Sequence, residues 1–266
     1  MKPNHVLMAR ARALALAVPF AALMPYEAGA QTGSVPVSQA ETLLFETDHL
    51  AHVQTPAVLV YDFRKVSNVE PGFSDKVSLD LDSNQGKTSA TLHFLSGAHK
   101  HDIPAVESAH GNPVLLGFLE RDIAEMKRLT GGSSAYFRKR IRMALAQGAE
   151  VSKQTITYQG KPLQAQAIRI QPYLDDPMHA RFEPYVHKTY VFIVSEQVPG
   201  GVYQLRSSLT NQGGSAAATR TAPDAAARDA PAGKPAAAAA VQGKPGTALP
   251  AIDETLTLVS ATHPKR

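Results

Sequence analysis

Four cationic side chains are crowded together in the middle of the chain. They are Arg138, Lys139, Arg140 and Arg142, with Ile141 between the last two. Clustered guanidinium and ammonium groups can bind an anionic ligand or an anionic membrane surface, because each presents a positive charge and several N–H donors. A run of charges is also typical of the solvated face of a helix. These four residues are therefore a candidate anion site, with the solvated face as the alternative.

Histidines form a second candidate cluster at His93, His99 and His101. In an extended chain His99 and His101 share one face, and imidazole is a ligand of Zn²⁺ or Cu²⁺. No third ligand is fixed by the spacing, and histidine pairs of this kind are also common in surface loops. A metal site and incidental surface histidines both remain open.

Motifs of the common catalytic and cofactor sites are absent from the sequence. It has no G-x-S-x-G, H-E-x-x-H, phosphate-binding G-x-x-x-x-G-K or dinucleotide-binding G-x-G-x-x-G pattern. The acidic pair Asp175 and Asp176 lies in a segment that we interpret as an ordinary polar loop. We therefore expect a protein that is not an enzyme and that holds no cofactor.

The first thirty residues have the pattern of a signal peptide. A cationic start is followed by an apolar stretch from Ala13 to Met24 and by an A-x-A cleavage signal that ends at Ala30. The apolar stretch is shorter than the roughly 20 residues that a transmembrane helix needs. We expect Sec export, cleavage after Ala30 and a periplasmic protein with no transmembrane segment. Because the chain has no cysteine, disulfides and thiolate metal sites are excluded.

A segment of low complexity interrupts the remaining chain from 211 to 250. It consists mostly of Ala, Gly, Pro and small polar residues, which cannot bury enough apolar surface to offset the cost of ordering. We expect a disordered loop within one domain that spans 31 to 262, followed by a tail from 263 to 266. The formal charge is +4, but outside the signal peptide and this loop cations and anions are equal in number. Such a neutral domain is not expected to bind nucleic acid.

Alternation of apolar and polar residues predicts about eight strands. They span 57–64, 76–82, 89–95, 151–158, 163–170, 188–195, 201–208 and 253–262. Because the turns are short, neighbouring strands should pair antiparallel. The strand at 188–195 is apolar on both faces and should lie centrally, and the last strand should pair with 202–209.

Two amphipathic helices are predicted between the third and fourth of these strands. Asn112 suits the N-cap, Pro113 the first helical position, and Gly131 a left-handed end of the helix. Ser133 or Ser134 should cap the second helix. Apolar stripes that would pack on the sheet are Leu115, Leu119, Ile123 and Met126, then Phe137, Ile141, Ala144 and Leu145. The fold class is α+β: one curved antiparallel sheet, a half-barrel, packed by a two-helix hairpin.

With Phe137 and Ile141 on the sheet, the second helix points Arg138, Lys139 and Arg142 to solvent, and Arg140 flanks them. Like charges four residues apart repel weakly. Carboxylates from neighbouring strands, an anionic ligand or solvent alone can compensate this repulsion.

The strand pair in KTYVFIVSEQVPGGVYQLR, from Lys188 to Arg206, resembles a known architecture. Together with the order of strands, helix pair and strands, it is similar to the unclosed β-barrel of the periplasmic lipoprotein carriers LolA and LolB and of related exported proteobacterial proteins. The resemblance implies a carrier or chaperone for lipidated or hydrophobic cargo, and it assigns no functional residue.

We therefore expect a monomeric, non-enzymatic periplasmic binding or carrier protein for a hydrophobic or lipidated ligand, held in an apolar concavity of the sheet. One alternative is an interaction protein of an envelope complex. The other is a periplasmic metal-binding protein that uses the region of His93, His99 and His101.

Overall fold

The computed structural model describes residues 36–209 and 249–264. The predicted signal peptide lies outside these residues. So does the predicted disordered loop, apart from Leu249 and Pro250, and so do the last two residues of the predicted tail.

Nine antiparallel strands form one open, half-barrel-like sheet in the order β4-β3-β2-β1-β9-β8-β7-β6-β5. The strands are β1 (Ala57–Ser67), β2 (Phe73–Asn84), β3 (Lys87–Phe94), β4 (His101–Asp102), β5 (Glu150–Tyr158), β6 (Lys161–Ile170), β7 (Thr189–Val194), β8 (Val202–Leu209) and β9 (Ile252–Thr262). The α+β class and the single antiparallel sheet are confirmed. The sheet has one strand more than predicted because β4, with two residues, is too short to show alternation.

The last strand lies in the middle of the sheet. β9 pairs with β8, as predicted, through contacts such as Leu205 with Leu256. On its other side it pairs with β1, where Leu256 lies opposite Phe63. The prediction that 188–195 lies centrally is wrong, since β7 is the third strand from the β5 edge.

Two helices, α2 (Val114–Thr130) and α3 (Ser134–Gln147), follow β4. Gly131 ends α2 with a φ of 70°, and Ser133 caps α3 by accepting a hydrogen bond from the Tyr136 N–H, as predicted. The predicted start of α2 is early by one residue, because Pro113 occupies the N-cap. The Asn112 side chain still accepts from the Val114 N–H at 3.1 Å.

A further helical segment near the N-terminus was not predicted. It comprises α1 (Gln39–Glu41) and a π-helical turn (Thr42–Glu46). Ser38 and Glu41 form a capping box, and the Ser38 hydroxyl donates to the Leu145 carbonyl at 2.9 Å. The segment is thereby tied to the end of α3.

Large side chains fill the space between the helices and the sheet. The predicted stripe residues Phe137, Ile141 and Leu145 are buried, and Ala144 is half-buried. They belong to the same core as fully buried strand residues such as Phe63 and Phe192. Within residues 36–209 and 249–264, no helix is long and apolar enough to cross a membrane.

Candidate ligand pocket

A pocket of about 870 Å³ opens at one end of the sheet. Its size is within the range of roughly 300–1,000 Å³ that is usual for small-molecule sites. The walls come from the N-terminal segment 43–54, the β5–β6 hairpin, the β7–β8 loop, and the end of β9 with the residues after it. Because these segments are distant in sequence, no local pattern could have revealed the pocket.

Most polar residues of the lining are exposed and form its rim, whereas its apolar residues are buried or half-buried. Three buried apolar residues, Ala165, Val194 and Val198, form what we call the floor, and the polar side chains of His49 and Ser195 are also buried in the lining. Further apolar lining comes from Leu43, Val53, Pro199 and Ala261. The exposed lining residues are Asp48, His52, Gln54, Lys153, Gln164, Glu196, Gln197 and His263. A ligand with an apolar body and a polar end would match this distribution.

A buried asparagine joins the walls of the pocket to the core. Asn112 is 2% exposed, and its side-chain amide donates to the Gly200 carbonyl at 2.7 Å and to the Tyr61 hydroxyl at 2.9 Å. Its carbonyl oxygen accepts from Val114 N, so the hydrogen-bonding groups of the amide are engaged. Because an unpaired buried amide is costly, this set of bonds holds the β7–β8 loop against β1 and the start of α2.

His49 connects the N-terminal wall to the same asparagine. Its Nδ1 accepts a hydrogen bond from the Asn112 backbone N–H at 3.3 Å, so the proton must lie on Nε2, which donates to the Leu43 carbonyl at 2.9 Å. Burial lowers the pKa of His49, although the Leu43 carbonyl and the Asp48 carboxylate act in the opposite direction. The imidazole is therefore a neutral structural link.

Two glycines allow the β7–β8 loop to approach these groups. Gly200 and Gly201 have φ values of 73° and 70°, in the left-handed region that favours glycine. A Cβ on Gly200 would lie 2.5 Å from Leu59, and one on Gly201 would lie 2.7 Å from His49. A side chain at Gly200 would therefore displace buried core groups, and one at Gly201 would displace His49, which lines the pocket.

The same loop also replaces β7 as the neighbour of β6. The β6–β7 ladder stops where Gln166 lies opposite Val194. Beyond it, the Ser195 hydroxyl donates to the Gln164 carbonyl at 2.6 Å, and Gln164 N–H donates to the Gln197 side chain at 2.8 Å. The loop is therefore fixed to the pocket wall by its own side chains.

The basic run on α3 divides into paired and exposed cations. Arg138 makes two hydrogen bonds to Glu120 of α2, at 2.9 and 2.6 Å. Arg140 is half-buried, with its Nε 2.8 Å from Asp176 and bonded to the Pro172 carbonyl. Lys139 and Arg142 are exposed. The carboxylates that meet Arg138 and Arg140 belong to a helix and a loop rather than to strands.

The loop that carries Asp176 is not the ordinary polar loop that we predicted. Asp176 is 1% exposed and accepts hydrogen bonds from the Tyr136 hydroxyl and from Met178 N. Burial and this hydrogen bond raise the pKa of Tyr136 to about 12. Asp176 therefore fastens its loop to α3, a role that follows from tertiary contacts and leaves no sequence signal.

The three histidines of the predicted metal region have separate surroundings. His93 lies 3.2 Å from Asp80, His99 stacks on the Phe73 ring with centroids 3.8 Å apart, and His101 is in β4. In the part of the chain that the structure describes, no group of three or more His, Asp or Glu side chains is arranged to hold a metal ion.

A buried polar cluster beneath α2 has residue types that are common in catalysis. Asp122 is completely buried and lies 2.6 Å from Lys188 Nζ. It also accepts from the Tyr190 hydroxyl at 2.6 Å and from Ser207 at 2.9 Å. Burial, followed by the Asp122 charge, raises the pKa of Tyr190. These enclosed side chains join α2 to β7 and β8, and none of them lines the ligand pocket.

A second buried lysine joins β1 to α2 and β9. Lys65 lies 2.5 Å from Glu70, 2.7 Å from Glu125 and 3.3 Å from Glu254. Arg121 and Arg128 add contacts to the same carboxylates, so three cations balance three anions. Burial alone would raise the pKa of Glu125, but hydrogen bonds from Arg128 and Lys65 outweigh it and lower that pKa well below its ordinary value.

We compared the sequence with models of known protein families and with curated proteins. No family model matches, and no curated protein matches.

Proposed function

We propose that the protein is a non-enzymatic binding or carrier protein, exported to the periplasm, whose hydrophobic or lipidated ligand occupies the pocket at the end of the sheet. The observation that carries this proposal is the lining, whose apolar residues are buried or half-buried and whose polar residues are mostly exposed.

The floor supplies the favourable free energy. An acyl chain or similar apolar group that enters the pocket leaves water and contacts side chains such as Val194 and Val198. Burial of each methylene contributes about 0.8 kcal/mol, so a chain of modest length gains enough to offset the cost of association. The polar end of the ligand would remain near Lys153, Glu196 and the glutamines of the rim.

The walls are arranged before a ligand arrives. Asn112 and His49 hold the N-terminal segment and the β7–β8 loop through bonds that involve no ligand. Because a preformed site loses little entropy on binding, this arrangement favours affinity. We predicted an apolar concavity of the sheet, and the pocket at the end of the sheet is the site that we propose.

A fluorescence titration tests the proposal. The probe is dansyl-labelled undecanoic acid, whose emission rises when the dansyl group enters an apolar site. We expect saturable binding to the wild-type protein and a loss of about tenfold or more in affinity for Ala261→Trp, because the indole would occupy the pocket. Val259→Trp is the matched control: it lies on the same strand, is 39% exposed and does not line the pocket.

Two results would contradict the proposal. One is the absence of saturable binding by the wild-type protein. The other is equal affinity of the probe for Ala261→Trp and Val259→Trp, with thermal melts showing that both variants are folded.

A further inference from the structure

In the part of the chain that the structure describes, no further strand covers the β5 edge of the sheet. β5 is nine residues long, and β6 is the only strand among residues 36–209 and 249–264 that pairs with it. The opposite edge differs: β3 is followed outward by the short β4, and an isolated bridge between Ala90 and Val106 covers more of it. Exposed edge strands offer unpaired backbone groups to another chain.

The register shows which backbone groups of β5 point outward. The β5–β6 hairpin has a two-residue turn at Gln159 and Gly160, so Tyr158 and Lys161 form the closing hydrogen-bonded pair. From this pair onward, hydrogen-bonded and non-hydrogen-bonded residue pairs alternate along the hairpin. The N–H and C=O groups of Val151, Lys153 and Thr155 therefore point away from β6.

Two independent contacts agree with this alternation. Gln164, the partner of Thr155, directs its N–H to Gln197 and its carbonyl to Ser195, both away from β5. Thr157, in the same phase as Thr155, has its carbonyl bonded by the Tyr203 hydroxyl at 3.0 Å. The Tyr203 hydroxyl therefore already binds the outward carbonyl of Thr157. The part of the edge that remains for another chain runs from Val151 to Thr155.

These outward groups have no partner within residues 36–209 and 249–264. Lys153 and Thr155 are exposed, so another chain can reach them. Lys153 also lines the ligand pocket. The open edge and the pocket are therefore continuous, and one ligand can contact both.

We propose that the ligand includes an extended peptide segment that pairs antiparallel with β5 from Val151 to Thr155 while its apolar group occupies the pocket. This inference rests on the proposed function and adds the chemical class of the ligand. Outward backbone groups at three alternate residues suit a peptide, because only a peptide repeats donors and acceptors at this spacing.

The occupant is a different chain rather than a second copy of this protein. Self-pairing of β5 about Lys153 would place two ammonium groups opposite each other, which destabilises a strand pair. A neutral or acidic residue opposite Lys153 would instead be stabilised. A segment of another protein with such a residue fits the edge.

Acylated peptides test the inference directly. The first probe is N-dodecanoyl-Ser-Val-Glu-Val-Ser-amide, and dodecanoic acid is the control without a peptide. Two further peptides carry N-methyl groups either on the Val amides or on the Ser and Glu amides. Only alternate amides face β5. One methylated peptide should therefore bind no more tightly than dodecanoic acid, and the other should bind as tightly as the unmethylated peptide. We expect the unmethylated peptide to bind about tenfold or more tightly than dodecanoic acid in calorimetric titrations.

A matched pair of variants locates the contact. Thr155→Pro removes an outward N–H that β6 does not use, and edge strands tolerate proline at such positions. Thr155→Val keeps that N–H. The proline variant should bind the acyl peptide no more tightly than dodecanoic acid, whereas the valine variant should match the wild type.

The outcomes separate this inference from the proposed function. If dodecanoic acid binds but the peptide adds nothing, or if Thr155→Pro keeps the gain, the peptide inference is wrong and the proposed function stands. If neither probe binds, both are wrong. A concentration-dependent dimer in sedimentation velocity that Thr155→Pro abolishes would show that a second copy pairs with the edge, and would overturn the inference.

Discussion

Lys188→Met tests whether the buried cluster beneath α2 depends on its ion pair. Methionine is similar in length to lysine but carries no charge. The change leaves Asp122, which is 0% exposed, with hydrogen bonds from Tyr190 and Ser207 but without a cation. Removing one partner of a buried ion pair typically costs about 3–5 kcal/mol, because the remaining charge is desolvated and uncompensated.

A loss of this size should be easy to measure. Folded domains are stable by only about 5–15 kcal/mol. For a domain of this length each kcal/mol corresponds to roughly 2–4 °C in melting temperature, so we expect a decrease of about 6–20 °C. Because the chain contains no tryptophan, urea unfolding should be followed by far-UV circular dichroism. Lys76→Met is the control, since its pair with Asp62 is exposed and should contribute at most about 1 kcal/mol.

The double variant Lys188→Met/Asp122→Asn completes the test. Tyr190 and Ser207 donate to different oxygens of Asp122. The asparagine oxygen can accept from one of these hydroxyls, its NH2 group can donate to the other, and no charge remains to be desolvated. The double variant should therefore be more stable than Lys188→Met alone. The reasoning is refuted if Lys188→Met costs less than about 1 kcal/mol, or if the double variant is no more stable than the single one.

Two other predictions concern acid stability and the last strand. The pKa of Glu125 is lowered in the folded state, so its contribution to the free energy of unfolding is complete above its ordinary value of 4.5 and decreases as the pH falls below it. Urea midpoints between about pH 6 and pH 3 should therefore fall less steeply for Glu125→Gln than for the wild type, and equal slopes would contradict this role. Truncation after Thr210 removes β9 and should abolish cooperative unfolding, whereas replacing 212–249 by a short turn should preserve the fold. A truncated protein that melts like the full chain would show that β9 does not stabilise the sheet.

Most strands could be predicted because the alternation of apolar and polar residues indicates a strand with one buried face. Leu79 and Leu81 of β2, or Leu256 and Leu258 of β9, are buried as their spacing indicates. Alternation does not say which strand lies beside which, so the central position of β9 could not be derived. The helix boundaries followed from local chemistry at Gly131 and Ser133, which depends on neighbouring residues only.

Most of the candidate site could not be predicted from the sequence. Basic residues on α3 were conspicuous because they are adjacent in the chain, yet Arg138 and Arg140 contact carboxylates that no spacing relates to them. Asn112 was recognised only as a helix cap, although its amide also holds Gly200 and Tyr61. Buried hydrogen bonds between distant segments have no periodic pattern, and the pocket depends on such bonds.

The central position of β9 determines when the sheet can be completed. Synthesis proceeds from the N-terminus, so β1 to β4 and β5 to β8 are made first, as two groups of consecutive strands with no shared ladder. They join only when the last eleven-residue strand inserts between β1 and β8. Contacts between residues so far apart slow folding, because a long loop must close before any bond forms. Until β9 is in place, the edges of β1 and β8 are uncovered. During this interval the chain is most prone to pair with other chains.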